Sequence, residues 1–317
     1  MTLHPMLQDD NRPRIATRPI EFLADAILLA LEDGYRGIQI HGRSGDGKTY
    51  ASEYLSMHPQ WLPSPAPTCW VTMPRRTHSS DTVFYNIIQQ SMQLAHHSRS
   101  SAIDRLTQIV DRIVSDCQST DSRRYVLFID EAQRLSADDY DFLANIDDAV
   151  HLDGYRIFCV FINQSDDSRH FRKQMRRKID ELPPQAVRRF FMAEHTFRGL
   201  LGVSEFAHAL GRYSVLEHEG VPFAAHFAPP AYEAGWRLEN EAPRFVAALG
   251  ELRTEKKLTG AGDLPMAIFE PAVRRLLVRV APTKGAFIQF TREEVRDALI
   301  AAGYLKLETL RARQVKR

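Results

Sequence analysis

Short unbroken apolar runs alternate with longer stretches in which apolar residues recur every three or four positions. Gly37–His41 (GIQIH), Cys69–Met73 (CWVTM), Tyr125–Ile129 (YVLFI) and Tyr155–Ile162 (YRIFCVFI) read as strands. The absence of polar alternation in the last two is the pattern of strands covered on both faces. Between them, Ile20–Glu32, Thr49–His58, Thr82–Ala95, Ser101–Asp116 and Ser136–His151 carry helical periodicity. A basic helix is expected over Asp167–Lys178, then a last short strand over Arg189–Ala193. Strands alternating with helices predict an α/β fold with a parallel sheet sandwiched by helices. After about His195 the strand pattern stops, and Ser204–Gly211, Ala228–Trp236, Ala242–Leu252, Pro271–Val280 and Arg292–Ala302 all read as helices. The expected organisation is an N-terminal arm (1–19), an α/β core (20–198), a mostly helical domain (199–304) and a basic C-terminal tail (305–317).

The first strand runs directly into Gly42-Arg-Ser-Gly-Asp-Gly-Lys-Thr49, which fits G-x-x-x-x-G-K-[ST] between a strand and a helix. Glycines at this spacing let successive backbone N–H groups turn toward phosphate oxygens, and the following helix adds its positive end. The residues expected to contact a nucleoside triphosphate are Gly42, Ser44, Gly45, Asp46, Gly47, Lys48, Thr49 and Tyr50. Lys48 is expected to reach the β- and γ-phosphates of ATP, and the Thr49 hydroxyl to ligate Mg²⁺.

The strand Tyr125–Ile129 ends in Asp130-Glu131. An aspartate there suits the second magnesium ligand, direct or through water, and Glu131 is placed to polarise the attacking water. At the end of the next apolar strand, Asn163 or its neighbour Gln164 supplies an amide able to orient that water. Asn163 is preferred. In Ala186-Val-Arg-Arg-Phe190, either Arg188 or Arg189 is a candidate to face a neighbouring subunit's nucleotide and stabilise the transferring phosphoryl group.

In order and spacing, these four elements resemble the AAA+ ATPases over about residues 20–200, with the helical remainder as the lid. The stretch Phe128-Ile-Asp-Glu-Ala-Gln-Arg-Leu135 is similar to the transposon-encoded ATPases of the TnsC and TniB type, and also to the secretion ATPase ExeA. The lid step Ala242-Pro-Arg-Phe245 resembles the start of a sensor-2 helix, which gives Arg244 a nucleotide-contacting role. The transposon resemblance implies ATP-dependent assembly of the chain with itself on duplex DNA, as a ring or helical filament. It also implies a transposase and a TniQ-type target-selection protein as partners. A DNA-independent AAA+ scaffold, a secretion ATPase and a helicase loader share the same core and stay open as alternatives. No DDE-type metal constellation is visible, so strand cleavage belongs to a partner. The adjacent Asp-Glu pair and the Arg-Arg-Phe step disfavour a kinase.

Composition sharpens this reading mainly through charge. The total over 317 residues is only +1, which excludes a uniformly basic nucleic-acid coat. The sum hides two opposed segments. Asp121–Asp153 carries nine acids against three arginines, a net of −6; Ser168–Arg189 carries eight Arg and Lys against two acids, a net of +6. Arg172, Lys173 and Arg176 in that basic segment are candidate DNA-phosphate contacts. Arg75, Arg76 and Thr77, in the loop after the second strand, are the other candidates. In AAA+ rings the corresponding loops can line the channel. No base-reading pattern is visible, so DNA binding should be sequence-tolerant and salt-dependent. The apolar runs are far shorter than a membrane helix, and the N-terminus has no secretory apolar region. Three scattered cysteines point to neither a zinc site nor a disulfide framework. A cytoplasmic protein without membrane contact is the expectation.

Overall fold

The computed structural model describes residues 3–8, 14–95, 100–165, 179–260, 262–284 and 287–315. It divides into two compact units. An α/β unit comprises Phe22–Ser44 and Lys48–Phe197, and a helical unit comprises Met1–Glu21, Gly45–Gly47 and Arg198–Arg317.

The α/β unit is built on five parallel strands: β1 (Gly37–Gly42), β2 (Thr68–Thr72), β3 (Arg124–Asp130), β4 (Arg156–Gln164) and β5 (Ala193–Thr196). Their order across the sheet is β2-β3-β4-β1-β5. In β3 and β4 residues on both faces are buried. Tyr125, Leu127, Ile129, Cys159 and Phe161 pack on one side, and Val126, Phe128, Phe158, Val160 and Ile162 are equally buried on the other. This explains their unbroken apolar runs: a polar residue at any position would lose its water without gaining a partner. Connecting helices α1 (Arg18–Glu32), α2 (Lys48–Met57), α3 (Asp81–Ser91), α4 (Ala102–Ser119) and α5 (Ala137–Leu152) follow the periodic stretches. Both α4 and α5 start at a reciprocal capping box, Ser101 with Asp104 and Ser136 with Asp139, which fixes where each helix begins.

One strand expectation is corrected. Of the stretch expected as a strand, Arg189 and Phe190 are helical and only Ala193 is extended: α6 (Pro184–Phe190) takes in Arg188 and Arg189, and β5 lies at Ala193–Thr196. Proline at the first helical position starts α6, and Ala186 and Phe190, four apart, bury one face. The apolar Phe190-Phe191-Met192 run imitates a strand, while β5 itself, on the sheet edge, is mostly polar. The basic helix expected over Asp167–Lys178 lies outside the described residues, and so do its candidate contacts Arg172, Lys173 and Arg176.

The helical unit contains α7 (Gly202–Val215), a small hairpin of β6 (Glu217–His218) and β7 (Val221–Pro222), α8 (Phe223–Phe227), α9 (Pro229–Glu233), α10 (Ala242–Glu255), α11 (Met266–Arg275), α12 (Arg292–Ala301) and α13 (Tyr304–Val315). Where one helix was expected over Ala228–Trp236 there is a single turn, opened by Pro229-Pro230 and closed by Gly235 at φ +95°. Two further expectations change. The polar N-terminal arm is part of this unit's core, with Met6 and Ile15 buried at 1% and 3% exposure. The C-terminal residues are not a loose basic tail: α13 buries Tyr304, Glu308 and Arg311. Both segments are too polar on average for periodicity to reveal a few anchoring side chains.

His4 shows how the arm is held. Its ring stacks on His226 at 4.4 Å and meets Phe223, Phe227 and His218 edge-on at 4.4, 4.7 and 4.9 Å. Its Nδ1 accepts the Met6 backbone N–H at 3.1 Å. Burial, with the nearby His226 and His218, lowers its pKa from 6.5 to about 4. The folded state therefore binds fewer protons than the unfolded one between these values. The contribution of docked, neutral His4 is complete above pH 6.5 and is lost as pH falls toward 4. Thermal melts at pH 7 and pH 5 are expected to show a larger drop for the wild type than for His4→Gln.

Candidate nucleotide site

The site is built at the carboxyl edge of the sheet, where β1, β3 and β4 end in register. Asp130 lies opposite Ile162, His41 opposite Asn163, and Gly42 opposite Gln164. A parallel α/β sheet gathers ligands at this edge because its loops and helix N-termini converge there. Gly42 ends β1 under tight constraint: a Cβ would come within 2.6 Å of the Phe197 carbonyl oxygen and 3.0 Å of Lys48 Cδ. Gly45 and Gly47 take φ of +84° and +106°, the left-handed region that side chains disfavour. α2 begins at Lys48, so the loop delivers its last residues to a helix N-terminus.

Lys48 is buried at 8% exposure, and its Nζ donates to the carbonyls of Gly42 and Arg43, at 2.5 and 3.0 Å. The Thr49 hydroxyl donates to Asp130 Oδ1 at 3.5 Å. Thr49 and Asp130 thus present oxygen donors side by side, a set suited to Mg²⁺, which binds through one or two protein oxygens plus phosphates and water. Burial pushes the Asp130 carboxyl above its usual range, opposed by hydrogen bonds from the Glu131 N–H and the Thr49 hydroxyl. A buried carboxylate with residual proton affinity is a place where a cation is stabilising.

Glu131 follows at φ +57°, a conformation that costs a non-glycine residue about 1–2 kcal/mol. Its carboxylate accepts from Gln133 Nε2 at 2.8 Å and pairs with Arg134 at 2.8 Å. Gln133 Oε1 also accepts the Gln164 backbone N–H at 3.1 Å, and Arg134 donates to the Met73 carbonyl at 2.7 Å. Sequence pattern alone assigns Gln133 and Arg134 no role. The signal was their spacing, two and three residues after Glu131, which in a tight turn returns them to its side chain.

The two amide candidates separate. Asn163 is 1% exposed and donates to Gln39 Oε1 at 2.9 Å and to the Phe161 carbonyl at 3.3 Å, while its Oδ1 has no hydrogen-bond partner. It shares a sheet face with Gln39 and Phe161, whereas Asp130 shares the other face with Ile162 and Gln164. The structure therefore does not bring the Asn163 side chain to Asp130's side, and the exposed Gln164 has the matching face. The two arginines separate as well. Arg189 pairs with Asp148 at 2.8 Å and donates to the Ala144 carbonyl at 3.3 Å. Arg188 is exposed on α6, with no such partner among the described residues.

Arg244, in the helical unit, pairs with the fully buried Glu241 at 3.0 Å and donates to Gln289. Of the loop candidates after β2, Arg75 and Thr77 are exposed. Arg76 is corrected: its guanidinium grips Asp139 with both nitrogens, at 3.1 and 2.5 Å. Asp139 is 0% exposed, so Arg76 is held by the need to neutralise a buried carboxylate and is not presented to solvent.

A parallel sheet in the order 5-1-4-3-2, a phosphate loop after β1 and an Asp-Glu step after β3 make a P-loop core of the AAA+ fold, accompanied by a mostly helical unit. Residues 32–170 match the AAA domain family. No curated protein matches the sequence. Among solved structures, the chain is similar to the Orc1 protein of Aeropyrum pernix in complex with DNA, at 14% identity over 94% of this chain and 68% of that one, TM-score 0.46. Cdc6p from Pyrobaculum aerophilum is 13% identical over 98% and 89%, TM-score 0.43, and PCH-2 of C. elegans is 15% identical over 92% and 68%, TM-score 0.38. Among the described residues no helix is long and apolar enough to cross a membrane.

Proposed function

We propose that this chain is an ATP-hydrolysing AAA+ regulator of transposition that assembles with itself on duplex DNA and links target selection to a transposase. The observation that carries the ATPase part is the convergence of Lys48, Thr49, Asp130 and Glu131 at one sheet edge. The residues act as follows. Gly42, Ser44, Gly45, Asp46, Gly47 and Tyr50 form the cradle, and Lys48 holds the β- and γ-phosphates. Thr49 and Asp130 hold Mg²⁺, which when bound neutralises charge on the phosphate oxygens. Glu131 takes a proton from water as the water oxygen bonds to the γ-phosphorus and the bond to the β-bridging oxygen breaks, giving ADP and phosphate. Gln164 orients the water, and Arg188 of a neighbouring copy stabilises the transition state, which makes hydrolysis depend on assembly.

The DNA part rests on the loop after β2. Arg134 joins Glu131 to the Met73 carbonyl, at the root of that loop, and Arg76 pins the loop to the start of α5. Arg75 and Thr77 are left outward for a phosphate backbone. Contact there is one bond network away from the hydrolytic carboxylate. The transposon assignment rests on the Phe128-to-Leu135 resemblance, with a transposase and a TniQ-type protein as partners.

The wild type is expected to co-sediment with duplex DNA only when ATP is present. Arg75→Ala should weaken that binding and reduce its salt dependence by about one counterion per contact. Arg76→Ala should act mainly by lowering stability, since it leaves Asp139 buried and unpaired. Absence of ATP-dependent DNA binding by the wild type would favour the DNA-independent scaffold, the reading of an ExeA-like secretion ATPase.

A further inference from the structure

The phosphate loop carries a carboxylate at its tip. Asp46 stands between the two left-handed glycines and is fully buried, at 0% exposure. A carboxylate in a loop shaped for a polyanion is electrostatically misplaced, because like charges a few ångströms apart disfavour each other. It is also costly to bury alone. Both problems are resolved within the helical unit, to which Gly45–Gly47 belong. Arg311 of α13 reaches Asp46 Oδ1 with Nη2 at 2.6 Å, and its Nη1 donates to Glu308, one turn earlier, at 3.1 Å. Glu308 in turn lies 3.4 Å from Arg253 of α10, which donates to the Tyr304 hydroxyl at 3.0 Å. The loop backbone is fastened beside this chain of charges. The Ala267 N–H donates to the Gly45 carbonyl at 3.1 Å, and a Cβ on Gly45 would touch Ala267 at 3.4 Å and Leu307 at 3.5 Å.

We propose that Arg311 is a positioning residue for nucleotide. Its guanidinium neutralises Asp46 and holds the loop tip in its phosphate-accepting shape, so that the C-terminal helix sets nucleotide affinity. This rests on the ATP-binding reading above. It gives the basic C-terminal end a role at the phosphate loop, where the sequence by itself suggests a basic tail, solubilising or directed to DNA or partners. Arg311 is 8% exposed, too covered to act as a surface contact for DNA.

The test uses the full-length chain and fluorescent ADP and ATP analogues. Arg311→Gln is expected to weaken ATP binding by about tenfold or more, and ADP binding less, since a carboxylate that has lost the Arg311 charge repels the more highly charged ligand more strongly. In the Asp46→Asn background the same Arg311→Gln change is expected to cost no more than about twofold, because the charge it compensates is gone. A purely structural role predicts equal losses for both nucleotides in both backgrounds, and that outcome overturns the proposal, as does unchanged ATP affinity in Arg311→Gln. Should Arg311→Gln fail to fold, Arg311→Lys, which keeps the charge and loses the fork, carries the same comparison: an ATP-weighted loss absent from the Asp46→Asn background supports the proposal, and no loss or equal losses overturn it. Wild-type chain that binds neither nucleotide would overturn the ATP-binding reading itself, a result distinguishable from a silent Arg311.

Discussion

Lys48→Ala is expected to weaken ATP binding by on the order of 100-fold or more, because it removes charge-assisted hydrogen bonds worth about 1.5–3 kcal/mol each from the phosphates. Lys48 is well placed for a large effect. It is the first residue of α2, it is almost fully buried, and its ammonium already lies over the Gly42 and Arg43 carbonyls that line the loop. Its aliphatic stem packs under the chain at Gly42, so a Cβ there would crowd it. Isothermal titration with ATP and Mg²⁺ checks this directly. An unchanged affinity in Lys48→Ala would remove the phosphate loop from the account, and with it the ATPase.

Glu131→Gln separates binding from chemistry. The amide keeps the size and shape of the carboxylate but cannot accept the water's proton. ATP and Mg²⁺ binding should persist while turnover falls by about 10²–10⁴-fold. The structure adds a constraint to this expectation. Glu131 sits in a left-handed backbone conformation with Gln133 and Arg134 on its carboxylate, so its position is held by neighbours and not by the sheet alone. Single-turnover hydrolysis together with nucleotide titration distinguishes the two steps. The same variant tests the proposed supply of an arginine in trans. Mixing Glu131→Gln with Arg188→Ala should restore part of the lost turnover, since some interfaces then combine an intact Glu131 with an intact Arg188. Arg189→Ala should behave differently, because Arg189 is engaged with Asp148 in its own subunit. No recovery at any ratio would count against a composite site.

Several elements are legible in the sequence alone. The phosphate loop and the Asp-Glu step depend on local order: a strand, a glycine turn and a helix in succession leave their signature in adjacent residues. Helices α4 and α5 were legible for a similar reason, since their capping boxes and apolar stripes are local patterns. The short strand β5 was missed because it sits on the sheet edge, where burial alternates weakly and the neighbouring helix α6 carries the more apolar residues.

What the sequence determined by itself is therefore the fold of the core and the position of the glycine loop and the acidic step at the ends of their strands, which follow from spacing along the chain. Choices among equivalent side chains were decided only by tertiary structure. Arg76 and Arg189 look as available as Arg75 and Arg188 until Asp139 and Asp148 are seen to hold them. Asn163 looks better than Gln164 until the register puts it on the face opposite Asp130. Arg311 and Asp46 lie 265 positions apart, and nothing local to either announces the other. A charge's role depends on which opposite charge shares its burial, and that pairing is set by packing between distant segments, which no pattern of neighbouring residues records.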